Sequence, residues 1–235
     1  MLTRQESKAQ LRQNGVVNVS LPTEIKHLIR KASEAQVGNT FKAGRVKVKV
    51  LCCDPLVLEL PDFIKPHLKE LVKLTHAKLS WKRSKTQNEK GQLVLDEDRT
   101  SMTCLVPSER LVSLTRKVAD LTGFREIEPL QLVRYRAGEH FGTHHDAGTL
   151  VADSPIVLVP PGPVRIATIF GYVTDSQAGT CFPDLNLTTE ARAGNAVLFL
   201  NVDQKGERLD ARTAHSGVKL EHGDSKIGVN IWPNG

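Results

Sequence analysis

The sequence predicts an α+β chain, with amphipathic helices in its first half and a β-sandwich or barrel in its second. Three observations lead there. The 235 residues are 40% hydrophobic, enough to bury a substantial core. Apolar residues recur at helical spacing in the segments 21–35, 63–79 and 108–122. From Pro129 onward they fall instead into short extended runs divided by Gly, Pro and Asp: Leu130 to Tyr135, Val164 to Tyr172, Ala196 to Asn201 and Ile227 to Trp232.

Residues 1–20 are polar and weakly patterned, which predicts a flexible arm. Leu21-Pro22-Thr23-Glu24 opens the first helix, because proline and an acidic residue suit a helix amino end, and the helix runs to about Ala35. Val46 to Val50 alternates apolar and charged residues, as a half-buried strand does, and Leu56 to Leu60 reads as a second extended segment. Pro61 ends it. Ile64, Leu68, Leu71, Val72 and Leu74 place an amphipathic helix over 63–79 with a lysine-rich outer face. Residues 82–98 have no apolar period and predict a mobile loop of the kind that closes over a site, so 21–98 form a support of helices and strands. Leu111, Leu114, Val118 and Leu121 form the stripe of a helix over 108–122, with Gly123 as its C-cap.

The formal net charge of +6 favours an acidic partner. Its lysines and arginines, Lys42, Arg45, Lys47 and Lys49 in one group and Lys82, Arg83 and Lys85 in another, are not interleaved with aromatics, which argues against nucleic-acid binding. Cys52, Cys53, Cys104 and Cys181 lack metal spacing and read as reduced thiols. No apolar run is long enough to span a bilayer, and residues 1–8 lack a secretory h-region. The expected location is cytoplasmic or nuclear, an organelle presequence staying open.

The chemistry centres on Tyr135 to Asp146. If this stretch is extended, His144 and Asp146 share a strand face, and an imidazole and a carboxylate converge as a metal pair. A remote histidine would complete a 2-His-1-carboxylate triad, and His215 in Thr213-Ala214-His215-Ser216-Gly217 is the candidate. His140 lies on the same face but further out, and His145 points to the opposite one.

The wider motif set carries a resemblance. Tyr-x-x-Gly-x-x-aromatic-x-x-His-x-Asp is followed by Arg165-Ile166-Ala167-Thr168 with Tyr172, then by the runs Ala178 to Pro183 and Gly194 to Phe199. His215-Ser216-Gly217 and Lys226 through Trp232 complete the set. In this order and spacing it resembles the prolyl 4-hydroxylase family, over about residues 99 to 233. The resemblance implies a jelly-roll (double-stranded β-helix) barrel over 99–235, buttressed by the N-terminal helices. It also implies a dioxygenase, similar to procollagen-proline 4-hydroxylases, that uses Fe(II), 2-oxoglutarate, O2 and ascorbate.

By the same resemblance His144, Asp146 and His215 are the catalytic metal ligands. Lys226 takes the distal carboxylate of 2-oxoglutarate, with Tyr135, Thr168 and Tyr172 supplying hydroxyls to that cofactor. Arg165, Trp232 and Phe141 face a proline-containing peptide or protein. Phe141 stands where the family usually has tyrosine, so that phenol's hydrogen bond is absent. The turn between His215 and Lys226 is one residue longer than the family pattern.

Two other functions share parts of this signature. A nucleic-acid dealkylating dioxygenase would use the same triad, but the paired arginines such enzymes carry after the distal histidine are not seen. A catalytically silent barrel serving as a binding module would have no need of all three ligands and the lysine.

Overall fold

The computed structural model describes residues 15–77, 81–87, 92–150, 157–159 and 164–234. Most of the expected N-terminal arm lies outside them. Its last part is not free: Val16 pairs with Arg208, and the amides of Val17 and Val19 donate to the carbonyls of Glu207 and Gly206.

The first helix, α1 (Thr23–Ala35), starts after Pro22 and carries Glu24 in its first turn, where the helix dipole favours a carboxylate. Ile25, Leu28 and Ala32 form its buried stripe. Next come β1 (Thr40–Ala43), β2 (Val46–Cys52) and β3 (Val57–Leu60). As the alternation requires, Val48 and Val50 are buried while Lys47 is exposed.

The helix expected over 63–79 is shorter. A 3-10 turn at Lys65–His67 precedes α2 (Leu68–His76). Pro66 explains the late start, since it lacks the amide a helix interior needs and suits only a first turn. Residues 78–80 lie outside the described segments.

Beyond it run β4 (Lys82–Arg83), β5 (Met102–Val106), a 3-10 turn at Ser108–Leu111 and α3 (Val112–Thr122). The second half supplies β6 (Leu130–Arg136), β7 (Phe141–His144), β8 (Ala167–Tyr172), β9 (Thr180–Phe182), β10 (Leu187–Thr188), β11 (Ala196–Leu200), β12 (His215–Gly217) and β13 (Ser225–Ile231). Among the described residues no helix is long and apolar enough to cross a membrane.

A nine-stranded sheet has the order β1-β2-β3-β11-β8-β13-β6-β5-β4, and a four-stranded sheet has the order β7-β12-β9-β10. The register of the large sheet divides its residues between two faces. Leu58, Leu198, Ile169 and Ile231 lie side by side across four strands and join the core cluster that also takes Ile25, Leu28, Leu114 and Val118 from the helices. One residue out of phase, Val57, Phe199 and Thr168 lie side by side on the opposite face. There Val57, Val197 and Phe199 pack with Phe182 of the small sheet. Period-2 alternation thus gives one sheet two cores, one under the helices and one between the sheets. Each fully buried leucine or phenylalanine contributes roughly 1.5–3 kcal/mol to this assembly.

Gly123 joins the helical layer together. It caps α3 in the left-handed conformation at φ 79°, and a Cβ there would stand 2.5 Å from Pro22 Cβ and 2.3 Å from Glu24 Oε2. Gly123→Ala therefore meets both backbone strain and a collision with the start of α1. A loss of about 1–3 kcal/mol is expected, read as a lower urea midpoint with unchanged slope; a midpoint equal to that of the unsubstituted protein would refute the packing argument.

Candidate metal centre

Two neighbouring strands bring the imidazoles together. β7 and β12 pair antiparallel with His144 opposite His215, and the ring centroids are 4.4 Å apart. His144 Nδ1 lies 3.0 Å from Gly142 O, and His215 Nδ1 lies 3.1 Å from Thr213 O. A carbonyl can only accept, so each Nδ1 carries a proton, and Nε2 is the nitrogen that each neutral imidazole would offer to a metal. Both Nε2 atoms face Asp146, at 3.5 Å from Oδ1 for His144 and 3.8 Å from Oδ2 for His215.

Asp146 reaches this point by a different route from the one its spacing predicts. β7 ends at His144, and a bridge between His145 and Gly148 folds the chain back, so Asp146 sits in the intervening turn. The turn, not strand alternation, delivers the carboxylate. The side chain of Asp146 is 6% exposed. Burial opposes its ionisation, yet His215, His144 and Arg165 together hold the carboxyl well below the usual carboxylate range. Burial pushes the His215 imidazole down, against the upward pull of Asp146.

Ligand atoms of His144, Asp146 and His215 all lie within 4.8 Å of one another. Two imidazoles and one anionic carboxylate, with an open cavity on one side, form a donor set that fits a divalent iron. Phe141 stacks on His144 at 3.5 Å between centroids, while Phe182 and Phe199 flank His215. These rings fix the orientation of both imidazoles.

The cavity, of about 660 Å³, opens between the two sheets, with His144, Asp146 and His215 on one wall and Tyr135, Lys226 and Asn230 among the other lining residues. Lys226 is 1% exposed. Its Nζ donates to the carbonyls of Ala178 (3.0 Å) and Gly179 (3.1 Å). An ammonium has three donors, so one hydrogen remains for an anionic ligand. β13 begins two residues earlier than its apolar pattern indicates, and this extension contains Lys226. Tyr135, opposite Lys226 in the register, lines the cavity too, and burial pushes its phenol up to about 12, so it stays a neutral donor.

Other predicted site residues are placed differently. Thr168 and Tyr172 do not line the cavity. Thr168 Oγ1 donates to Asp146 Oδ2 at 2.7 Å, which commits its one hydrogen to the carboxylate. The Tyr172 hydroxyl is engaged by Thr180 and Thr189 and is buried beyond reach of a ligand. Trp232 does line the cavity, but its indole nitrogen donates to Asp146 Oδ2 at 3.2 Å. Arg165 lies over the Trp232 ring at 3.5 Å, and two of its nitrogens grip Glu128 at 2.8 Å each. Phe141 remains on the cavity wall.

His145 turns away from the donor set, as its position predicts, and is buried against Asp210 O and Thr213 Oγ1. His140 is half-buried, with its amide held by Thr100.

Several further residues line the cavity without having been named among the expected site residues. Arg99 stacks on Phe141 at 4.2 Å, donates to Gln131 Oε1 and Lys85 O, and keeps a buried Nε without a partner. Gln131 and Asn230 are joined by a hydrogen bond across β6 and β13. The 82–98 segment supplies Lys85, Thr86, Val94, Asp96 and Asp98 to the rim, partly through a short hairpin of Thr86–Gln87 with Leu93–Val94. Residues 88–91 at its tip lie outside the described segments.

No family model matches the chain. A human protein, prolyl 4-hydroxylase subunit alpha-3, is 33% identical over 129 residues, which is 52% of this chain and 23% of the relative. A putative prolyl 4-hydroxylase of Acanthamoeba polyphaga mimivirus is 27% identical over 111 residues, 46% of each. The chain thus spans from about a quarter to about half the length of these relatives.

Among solved structures, the viral collagen prolyl hydroxylase of Paramecium Bursaria Chlorella virus-1, in a 2OG complex, aligns with TM-score 0.54 and 20% identity over 75% of this chain and 94% of that one. A Trichoplax adhaerens prolyl hydroxylase, solved with a hypoxia inducible factor peptide fragment, gives TM-score 0.50 and 12% identity over 99% and 93%. At these identities the structures speak for the fold. Over about half of its length the chain is similar in sequence to prolyl 4-hydroxylases, and over three quarters of it the fold is similar to that of the viral collagen prolyl hydroxylase.

Proposed function

We propose that this protein is an Fe(II)- and 2-oxoglutarate-dependent prolyl 4-hydroxylase acting on a peptide or protein. The observation that carries the reading is the joint placement of His144, Asp146, His215 and the buried Lys226 around one cavity. In this reading the two sheets are the walls of a jelly-roll barrel, and the helices on the outer face of the large sheet support it.

When bound, Fe(II) with 2-oxoglutarate and O2 supplies the oxidising chemistry, the co-substrate being decarboxylated to succinate and ascorbate serving as reductant. The protein's own residues do the rest. His144 and His215 present Nε2 lone pairs, and Asp146 stays anionic between them. Lys226 takes the distal carboxylate through its remaining ammonium hydrogen, and Tyr135 donates a hydroxyl beside it. Phe141, Phe182 and Phe199 keep water from the faces of the imidazoles. Arg165, braced by Glu128 and lying flat on Trp232, offers a rigid planar cation at the mouth to a proline-bearing backbone.

The test is mass spectrometry of proline-rich peptides incubated aerobically with the protein, Fe(II), 2-oxoglutarate and ascorbate. One added oxygen on proline, with succinate formed in equal amount, is the expected result. Neither product from iron-loaded protein would overturn the reading.

The cofactor interaction should depend on pH. Burial pushes Lys226 down from its ordinary 10.5 to about 8, with Asp224 pulling weakly upward. The cation is therefore present below about pH 8 and lost above it, so 2-oxoglutarate binding weakens as pH rises through that value. Titration calorimetry between pH 6.5 and 9.5 measures this, and equal affinity at both ends would exclude Lys226 as the anchor.

A further inference from the structure

We infer that Thr168 and Asn201 act as a positioning relay that commits one oxygen of Asp146 to the protein and leaves the other for the metal. The inference rests on the metal centre described above and concerns what holds its only anionic member.

Asp146 Oδ2 accepts two hydrogen bonds, from Thr168 Oγ1 at 2.7 Å and from Trp232 Nε1 at 3.2 Å. Oδ1 faces His144 Nε2 at 3.5 Å and accepts no such bond, while Oδ2 also lies 3.8 Å from His215 Nε2. A carboxylate oxygen with two donors in place has its lone pairs occupied, so Oδ1 is the atom free to ligate. The ligation is then monodentate, and the carboxylate plane is set before any metal arrives.

The direction of the Thr168 hydroxyl is what makes this work, because a hydroxyl can also accept. Asn201 decides it. Its Nδ2 donates to Thr168 Oγ1 at 3.1 Å and to Arg165 O at 3.0 Å. The second contact fixes which end of the amide is nitrogen, since a backbone carbonyl only accepts. With Asn201 donating into Oγ1, the threonine's own hydrogen is turned toward Asp146. Both residues are fully buried at 0% exposure, so water does not compete for either bond. Asn201 Oδ1 is buried without a hydrogen-bond partner, so the side chain keeps this orientation at the expense of its own acceptor.

The relay also assigns Arg165 a second part. Its carbonyl orients Asn201, its Nη1 lies 3.4 Å from Asp146 O, and its guanidinium covers Trp232, the other donor to Oδ2. Strand β8 and the residues just before it thus grip the carboxylate from one side. Thr168 is consequently a positioning residue for the metal and not a contact to the co-substrate.

The experiment measures Mn(II) and Co(II) affinity of the full chain by titration calorimetry, for the unsubstituted protein and for Thr168→Val, Thr168→Ser and Asn201→Ala. The visible spectrum of the Co(II) forms is recorded beside it. Loss of an outer partner of a ligand lowers metal affinity about 10–100-fold, and this is expected for Thr168→Val and, in the lower part of that range, for Asn201→Ala. Thr168→Ser, which keeps the hydroxyl, should bind within about threefold of the unsubstituted protein. The Co(II) absorption should shift in Thr168→Val and not in Thr168→Ser.

Thr168→Val that melts at a lower temperature but binds metal with unchanged affinity would overturn the relay and leave the metal centre standing. Asn201→Ala with unchanged affinity would overturn Asn201's part, and it keeps the test decisive if Thr168→Val fails to fold. An unsubstituted protein that binds neither ion would overturn the metal centre itself.

Discussion

Alanine in place of His144, Asp146 or His215 is expected to abolish oxygen transfer to proline. In the proposed centre a metal would have only these three protein donors among the described residues, and their ligand atoms lie within 4.8 Å of one another. Removing one takes away a bond and also disturbs its neighbours. Without Asp146 the only anion of the set is lost, while Thr168 and Trp232 are left donating into a void. Without His215 a gap opens between Phe182 and Phe199. Metal participation is worth several kcal/mol of charge stabilisation, and each 1.4 kcal/mol is about tenfold in rate, so the loss should be about 10³-fold or more. Succinate formation should fall with hydroxylation, because both need the same centre. Full turnover by any one of the three variants would remove that residue from the ligand set.

Lys226→Met is expected to uncouple cofactor binding from metal binding. Methionine keeps the length and the apolar stem, so the wall between Tyr135 and the Ala178–Gly179 carbonyls stays filled. The charge-assisted hydrogen bond to the distal carboxylate is lost, together with the two that Nζ donates to the Ala178 and Gly179 carbonyls. Such bonds contribute about 1.5–3 kcal/mol, which corresponds to about 10–150-fold in the KM for 2-oxoglutarate. Metal affinity should remain unchanged, since Lys226 reaches no ligand atom. The shift of cofactor affinity near pH 8 should also vanish in this variant. An unaltered KM would show that the cofactor's distal end lies elsewhere, with the half-buried Arg99 another cation on the cavity wall.

Residue types and their order made the candidate cluster of His144, Asp146 and His215 readable in the sequence. Metal ligation restricts the choice to few side chains, and His144, Asp146, His215 and Lys226 stand in a motif whose neighbours repeat a known arrangement. The helical stripe of α3 and the alternation of β2 were readable for a related reason. Burial of one face imposes a period on local sequence, as in Leu114, Val118 and Leu121, or Val48 and Val50.

The partner each polar atom chooses was not written locally. Thr168, Asp146 and Asn201 meet across separations of 22 and 33 residues, and no period of two or 3.6 encodes such a meeting. Alternation puts Thr168 on the inner face of the large sheet but cannot say whether its hydroxyl serves a ligand or a neighbouring carboxylate. The same limit holds for Tyr172, whose hydroxyl is taken up by Thr180 and Thr189, and for Arg99, whose guanidinium lies on Phe141. Even Asp146 arrived by a turn where the spacing indicated a strand. Local sequence constrains which face a side chain takes, because burial is a property of faces. Hydrogen bonds join individual atoms across the packed sheets, so their pairing was settled only when the sheets closed on one another.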